Sequence, residues 1–142
     1  MATLTADKAR SFTPGGEGAY NTLTVAASQK LYQGEAVSPD AGGDIQTLNA
    51  GDSFEGFVDG QVDNTTGGDG DKSVLLLQKG ILHNTPVTGV TGVGDVGSTV
   101  YMSDGGTFTL TEGSNSDIGK VIRYLSGTSV DIEFCAGSRR SL

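Results

Sequence analysis

The chain contains no tryptophan, a single cysteine, a single histidine and three prolines. Each scarcity excludes something. The lone Cys135 has no partner within the chain, so no disulfide framework supports the fold, and a half-buried thiol at a strand end is its plainest role. One His and one Cys are too few for a zinc centre. No apolar run approaches the roughly 18 residues of a membrane span, and no basic-then-apolar leader opens the chain. A soluble protein assembled in a cytoplasm, with no membrane partner, is therefore expected.

Basic residues are missing from one long stretch. Residues 31–71 hold Glu35, Asp40, Asp44, Asp52, Glu55, Asp59, Asp63, Asp69 and Asp71 with no Lys or Arg, a net −9. Residues 1–30 net +1 and residues 72–142 net zero, so the formal charge of −8 resides in that stretch. A phosphate backbone calls for a basic patch, so no nucleic-acid partner is expected. The stretch reads as a solvated face, or as one complementary to a basic partner or to cations.

What is abundant is glycine, 23 of 142 residues, beside a hydrophobic share of 35%. One domain with a modest core follows, and such a chain gains from self-association or from a partner surface. From Val87 to Phe134 the sequence reads as a string of short strands divided by Gly- and Asp-rich turns. Val130, Ile132 and Phe134 alternate with Ser129, Asp131 and Glu133, which predicts one buried and one wet face. Ser126-Gly127-Thr128 and Asp104-Gly105-Gly106 have the composition of hairpin turns. Val74 to Leu77 is apolar without alternation and predicts a strand buried on both faces.

Eight or nine short strands in all predict an all-β protein, a small single-domain barrel or sandwich of short antiparallel strands. Residues 1–20 read as an extended N-terminal arm, 21–136 as the β-domain and 137–142 as a short basic tail carrying Arg139 and Arg140. Phe12 and Tyr20 flank the flexible Pro14–Gly18 segment and, with Arg10, are the candidate contacts to a partner or a neighbouring subunit. The alternative is an ordinary mobile terminus.

The motifs that carry chemistry are weak. Gly92-Val-Gly-Asp-Val-Gly97 fits G-x-G-x-x-G but runs into Thr99-Val-Tyr101, a strand, so no helix N-terminus awaits a pyrophosphate and no cofactor is expected. Asp63–Asp71 departs from the EF-hand pattern at Thr65 and Gly67, leaving a flexible acidic loop or a loose calcium site. His83 and Cys135 could meet in space as base and nucleophile, yet neither lies in a local catalytic signature and no G-x-S-x-G elbow is present. No catalytic or metal-binding residue is assigned, and the chain is not expected to be an enzyme.

Asp95-Val-Gly-Ser-Thr-Val-Tyr101-Met-Ser-Asp-Gly-Gly-Thr-Phe-Thr-Leu110, then Ile118–Ile122 and Val130–Phe134, resemble the capsid cement, or head decoration, proteins of tailed bacteriophages. Gly51–Val58, Asp63-Asn64-Thr65 and Val74–Gly80 extend the likeness upstream in the same order, over roughly residues 20–136. The resemblance implies a non-enzymatic structural protein of the virion, bound outside the expanded head at capsomer contacts. Its implied partners are the major capsid protein and itself, as a homotrimer. A different class, a carbohydrate- or receptor-binding β-module, is the alternative, though sugar sites favour exposed aromatics and this chain has no Trp. Docking residues are expected in the arm or the rim loops rather than in the string, and removal of residues 1–20 is expected to weaken attachment while leaving the fold intact.

Overall fold

The computed structural model describes residues 4–140, which form thirteen strands and two single 3-10 turns, at Val93–Asp95 and Gly137–Arg139. Three antiparallel sheets result. The largest runs β1 (Phe12–Pro14), β9 (Lys79–Pro86), β13 (Ser129–Cys135), β12 (Ser116–Ser126), β10 (Thr99–Met102) and β11 (Phe108–Thr109). The second runs β2 (Tyr20–Thr24), β8 (Ser73–Leu77), β6 (Gly56–Val58), β4 (Ala36–Pro39) and β5 (Ile45–Thr47). The third is a ribbon of β3 (Gln29–Leu31) and β7 (Val62–Asn64). The fold is thus a layered sandwich, and the barrel alternative does not form. Among the described residues no helix is long and apolar enough to cross a membrane.

Side-chain alternation explains the layering. In β6, Phe57 points into a core shared with the six-stranded sheet, and its neighbour Val58 points the other way. Val58 joins Val37, Ile45, Val74 and Leu76 against Leu31 and Val62 of the ribbon. The five-stranded sheet is therefore the middle layer, apolar on both faces. β8 follows this only in part. Val74, Leu76 and Leu77 are buried, but Leu75, paired with Thr22 of the edge strand β2, is 38% exposed.

The main core is aromatic. The chain has five phenylalanines, and Phe57 lies within 6.2 Å, centroid to centroid, of the other four. The Phe57–Phe134 pair is edge-to-face at 4.9 Å and 87°. In the ladder Phe134 stands between Gly80 and Gly119, whose missing Cβ atoms let the strands close around the ring. A Cβ at Gly119 would run into the Glu133 carbonyl oxygen and the Phe134 Cα.

One residue, Gln78, separates β8 in one sheet from β9 in the other, and it is fully buried. Its N–H donates to Ala19 O at 2.8 Å, and its carbonyl accepts from Ala136 N–H at 2.6 Å. Its side chain donates to Glu55 O and accepts from Arg139. Every polar group of the corner is thereby satisfied, as a buried turn between layers demands.

Of the expected arm, residues 1–3 lie outside the described residues, and residues 4–20 are not free of the body. Residues 12–14 are extended, but they pair with β9 in register Phe12–Leu82, and the Phe12 ring packs on Phe57 and Phe134. Burial of a large ring outweighs the flexibility of the adjacent glycines. The string 87–134 is also less regular than its composition suggests. Residues 87–98 form a loop tied by the Thr88–Thr109 bridge and the 3-10 turn, while both expected hairpins, 102–108 and 126–129, are present.

Replacing Phe57 by Ala is expected to cost about 3–5 kcal/mol in urea unfolding, and Phe12→Ala less, since Phe12 is only half-buried. Deleting residues 1–20 is expected to lower the unfolding midpoint measurably, since it removes β1 and the Phe12 ring. An unchanged midpoint would show that β1 adds nothing to the core.

Candidate functional site

The three arm residues end in three different environments. Phe12 belongs to the protein's own core. Tyr20 is 45% exposed at the start of the edge strand β2, on the same face as Leu75. Arg10 is half-buried, with its guanidinium carbon 5.1 Å from the Phe108 ring centroid and 5.9 Å from that of Phe57. Its Nε donates to Gly34 O at 2.6 Å, and burial pulls its pKa down to about 10. Arg10 remains charged at neutral pH.

His83 and Cys135 do not meet. Cys135 pairs with Lys79 in the ladder, four residues along β9 from His83, or roughly 13 Å of strand. His83 instead joins Asp131, which is 2% exposed although alternation assigns it to the wet face. Bulges explain the difference. Two residues of β9, His83 and Asn84, lie opposite Asp131, and in β12 the residue Ile122 is left unpaired across from it. Asn84 takes a left-handed φ of 48°, and its N–H donates to Asp131 Oδ1 at 2.9 Å. Asp131 Oδ2 faces Arg123 Nη1 at 3.2 Å and His83 Nδ1 at 3.4 Å.

His83 Nε2 lies 2.7 Å from Thr13 Oγ1, so acid, imidazole and hydroxyl stand in a row. The surroundings do not build an acyl-transfer site. The Gly15 N–H is bonded to Lys79 O, the His83 N–H to Ser11 O, and Pro14 has none to offer an oxyanion. The row works as a clip that fastens β1 across β9 to β13.

The acidic loops are ordered by their own amides. Asp63 accepts from Thr65, Asp71 from Gly68 and Asp69 from Ala27 N–H. Of the Asp63–Asp71 loop only Asp69 turns towards other acids, with carboxylate oxygens of Asp40, Asp44 and Asp69 within 4.8 Å of one another. Glu35 and Glu55 are buried rather than part of a solvated face, Glu35 against Tyr32 N–H and the Thr47 hydroxyl, Glu55 against Ser138. In the glycine-rich loop, Thr91 N–H and then Gly92 N–H hold the Asp95 carboxyl below the ordinary carboxylate range.

Two surface features remain. A groove of about 490 Å³ crosses the outer face of the six-stranded sheet, floored by Ile81 and Cys135 and edged by Lys79, Lys120, Glu133 and Arg140. Beside it β12 carries two unpaired bulge residues, Ile122 at 38% and Leu125 at 41% exposure. The neighbouring loop adds Val93 at 72% and Val96 at 46%, and it is bonded to β12 through Gly97 N–H to Val121 O. All four lie within the 87–134 string, where sequence reading expected no docking residues; for Ile122 and Leu125 the reason is that a bulge changes the facing of a residue and leaves no mark in the apolar pattern.

Compared with protein families, with curated proteins and with solved structures, the chain matches none of them.

Asp131→Ala is expected to destabilise by about 3 kcal/mol, since it leaves the Asn84 N–H and the Arg123 charge without their buried acceptor, whereas Thr13→Val is expected to cost about 1 kcal/mol. Urea unfolding of both variants checks the order. Asp95 has a folded pKa below its unfolded value, so its contribution is complete above about pH 4 and fades as pH falls through the folded value. The protection factors of the Thr91 and Gly92 amides, taken relative to intrinsic exchange at each pH, should therefore fall in acid in the native chain and show no such pH step in Asp95→Asn.

Proposed function

We propose that the protein is a structural component of a bacteriophage virion, bound to the outer surface of the expanded head at capsomer contacts, where it braces the shell. The observation that carries this reading is the grouped exposure of Val93, Val96, Ile122 and Leu125 on one bulged strand and its adjoining loop. Apolar side chains brought together at the surface favour a partner that covers them, and these four are among the six large hydrophobic residues exposed in the described chain. The resemblance of residues 20–136 to head decoration proteins supplies the partner, the major capsid protein, and a homotrimeric arrangement.

Multiple modest contacts suit this role. A subunit that touches several capsid proteins and its own neighbours gains avidity, because each later contact forms at high effective concentration. Tyr20 and Leu75 form a second, smaller apolar spot on the five-stranded sheet and are the contacts we assign between subunits. The acidic loops would then face solvent or a basic shell surface. The carbohydrate-binding alternative has only Tyr20, at 45%, as a strongly exposed aromatic to stack on a sugar.

Purified protein mixed with expanded heads is expected to co-sediment, and to elute as a trimer by light scattering. Ile122→Lys and Val93→Glu should each weaken head binding about tenfold or more without shifting the unfolding midpoint. Wild-type protein that stays in the supernatant, or is retained on a glycan resin instead, would overturn the reading.

A further inference from the structure

The groove on the six-stranded sheet and the Tyr20–Leu75 spot on the five-stranded sheet both have an apolar centre, and their charged rims are of opposite sign. In the groove the centre is Ile81 and Cys135, each half-buried and so within reach of a side chain that enters. Lys79, Lys120, Arg140, Asp117 and Glu133 surround them. Asp117 is already engaged, since its Oδ1 lies 3.5 Å from Arg140 Nη2. Glu133 stands opposite Lys120 in the ladder, yet neither Lys79 nor Lys120 closes an ion pair among the described residues. Two ammonium groups thus remain unpaired in a chain with 17 acids and nine bases.

The spot carries the reverse rim. Tyr20 and Thr22 share a face with Leu77 and Leu75 of β8, and β2 ends its sheet. Tyr20 is 45% exposed and Leu75 38%. Asp59 N–H donates to Leu75 O at 2.9 Å, which seats that acidic residue beside the leucine. At the far end of β2 the Asp44 carboxylate accepts from the Thr24 hydroxyl at 2.6 Å, and Asp40 and Asp69 gather around it. Lys72, whose carbonyl accepts from Val25 N–H, offsets part of this charge.

We propose that the Tyr20–Leu75 spot of one copy of this chain seats in the groove of the next. The tyrosine ring and the leucine cover Ile81 and Cys135, and Asp44 and Asp59 face Lys79 and Lys120. A groove of about 490 Å³ has room for one aromatic and one aliphatic side chain. Two identical spots cannot meet as well, because their acidic rims would stand face to face. The contact is therefore heterologous, joining different surfaces of the two copies, and such a contact closes into a ring where its rotation permits. It rests on the proposed homotrimer and assigns the faces that meet in it. No head is needed for it to form, so the protein alone is the test material.

Light scattering of the full chain, without heads, should show a trimer. Tyr20→Lys, and separately the double variant Lys79→Glu with Lys120→Glu, should each weaken association about tenfold or more while keeping the native circular-dichroism spectrum. Mixed together, these two proteins should form a dimer and nothing larger, because one intact spot then meets one intact groove. Leu75→Cys, oxidised, should cross-link to Cys135 of a neighbouring copy and run as dimers and trimers on a non-reducing gel. Adding Cys135→Ser should remove those bands. A monomeric wild type, a trimer that both sets of variants leave intact, a mixture that stays monomeric, or cross-linking of Leu75→Cys that persists without Cys135 would overturn the proposal. A trimer that passes these tests but stays in the supernatant with heads upholds this contact and overturns head attachment alone.

Discussion

The structure hangs on the contact between Phe57 and the other four phenylalanines. A chain with a hydrophobic share of only 35% and no tryptophan must concentrate its large apolar side chains. It does so by drawing one ring each from β1, β6, β13 and β11 and one from the approach to β6 at Phe54. Because these segments are far apart in sequence, the cluster forms only when both large sheets are in place. Gln78 enforces this, since a single buried residue carries the chain from the middle sheet into the outer one and leaves no slack for the layers to slide.

The bulges around Asp131 are the complement of that rigidity. Three adjacent strands shift register where β9 and β12 each carry an extra residue opposite β13. Amides that lose their ladder partners there need another acceptor, and the buried Asp131 carboxylate serves the Asn84 N–H while holding Arg123 and His83. The same bulges remove Ile122 and Leu125 from the ladder and turn them to solvent. One local irregularity thus costs a buried charge on the inside and presents an apolar patch on the outside. The middle sheet, whose two faces are both covered by other layers, has no comparable freedom.

Much of the fold is legible in the sequence because its cues are local. Period-two alternation from Val130 to Phe134 and the glycine-bearing turns at 104–106 and 126–128 each report on their own few residues. What is illegible depends on distant partners. Phe12 reads as part of an arm because three residues before a glycine-rich segment carry no strand signal, and only β9 makes them a strand. Leu75 departs from the two-faced burial expected of its apolar run and Asp131 from the alternation of its strand, the first exposed and the second buried under bulges. Glu35 and Glu55 look like members of an acidic face, yet the donors that bury them come from Thr47 and from Ser138, the latter 83 positions away. Of the residues singled out in the arm, Tyr20 is exposed, Phe12 is internal, and Arg10 lies between the two conditions.

That intermediate position gives Arg10 a particular physical role. Its stem and guanidinium pack on Phe57 and Phe108, so the cation is coupled to the hub of the core. Among the described residues its Nη2 has no hydrogen-bond partner, so the packing that seats Arg10 on the two rings carries the cost of an uncompensated buried donor. Arg10 thereby ties the segment before β1 to the centre of the core, and the aromatic contacts outweigh the donor they leave unpaired.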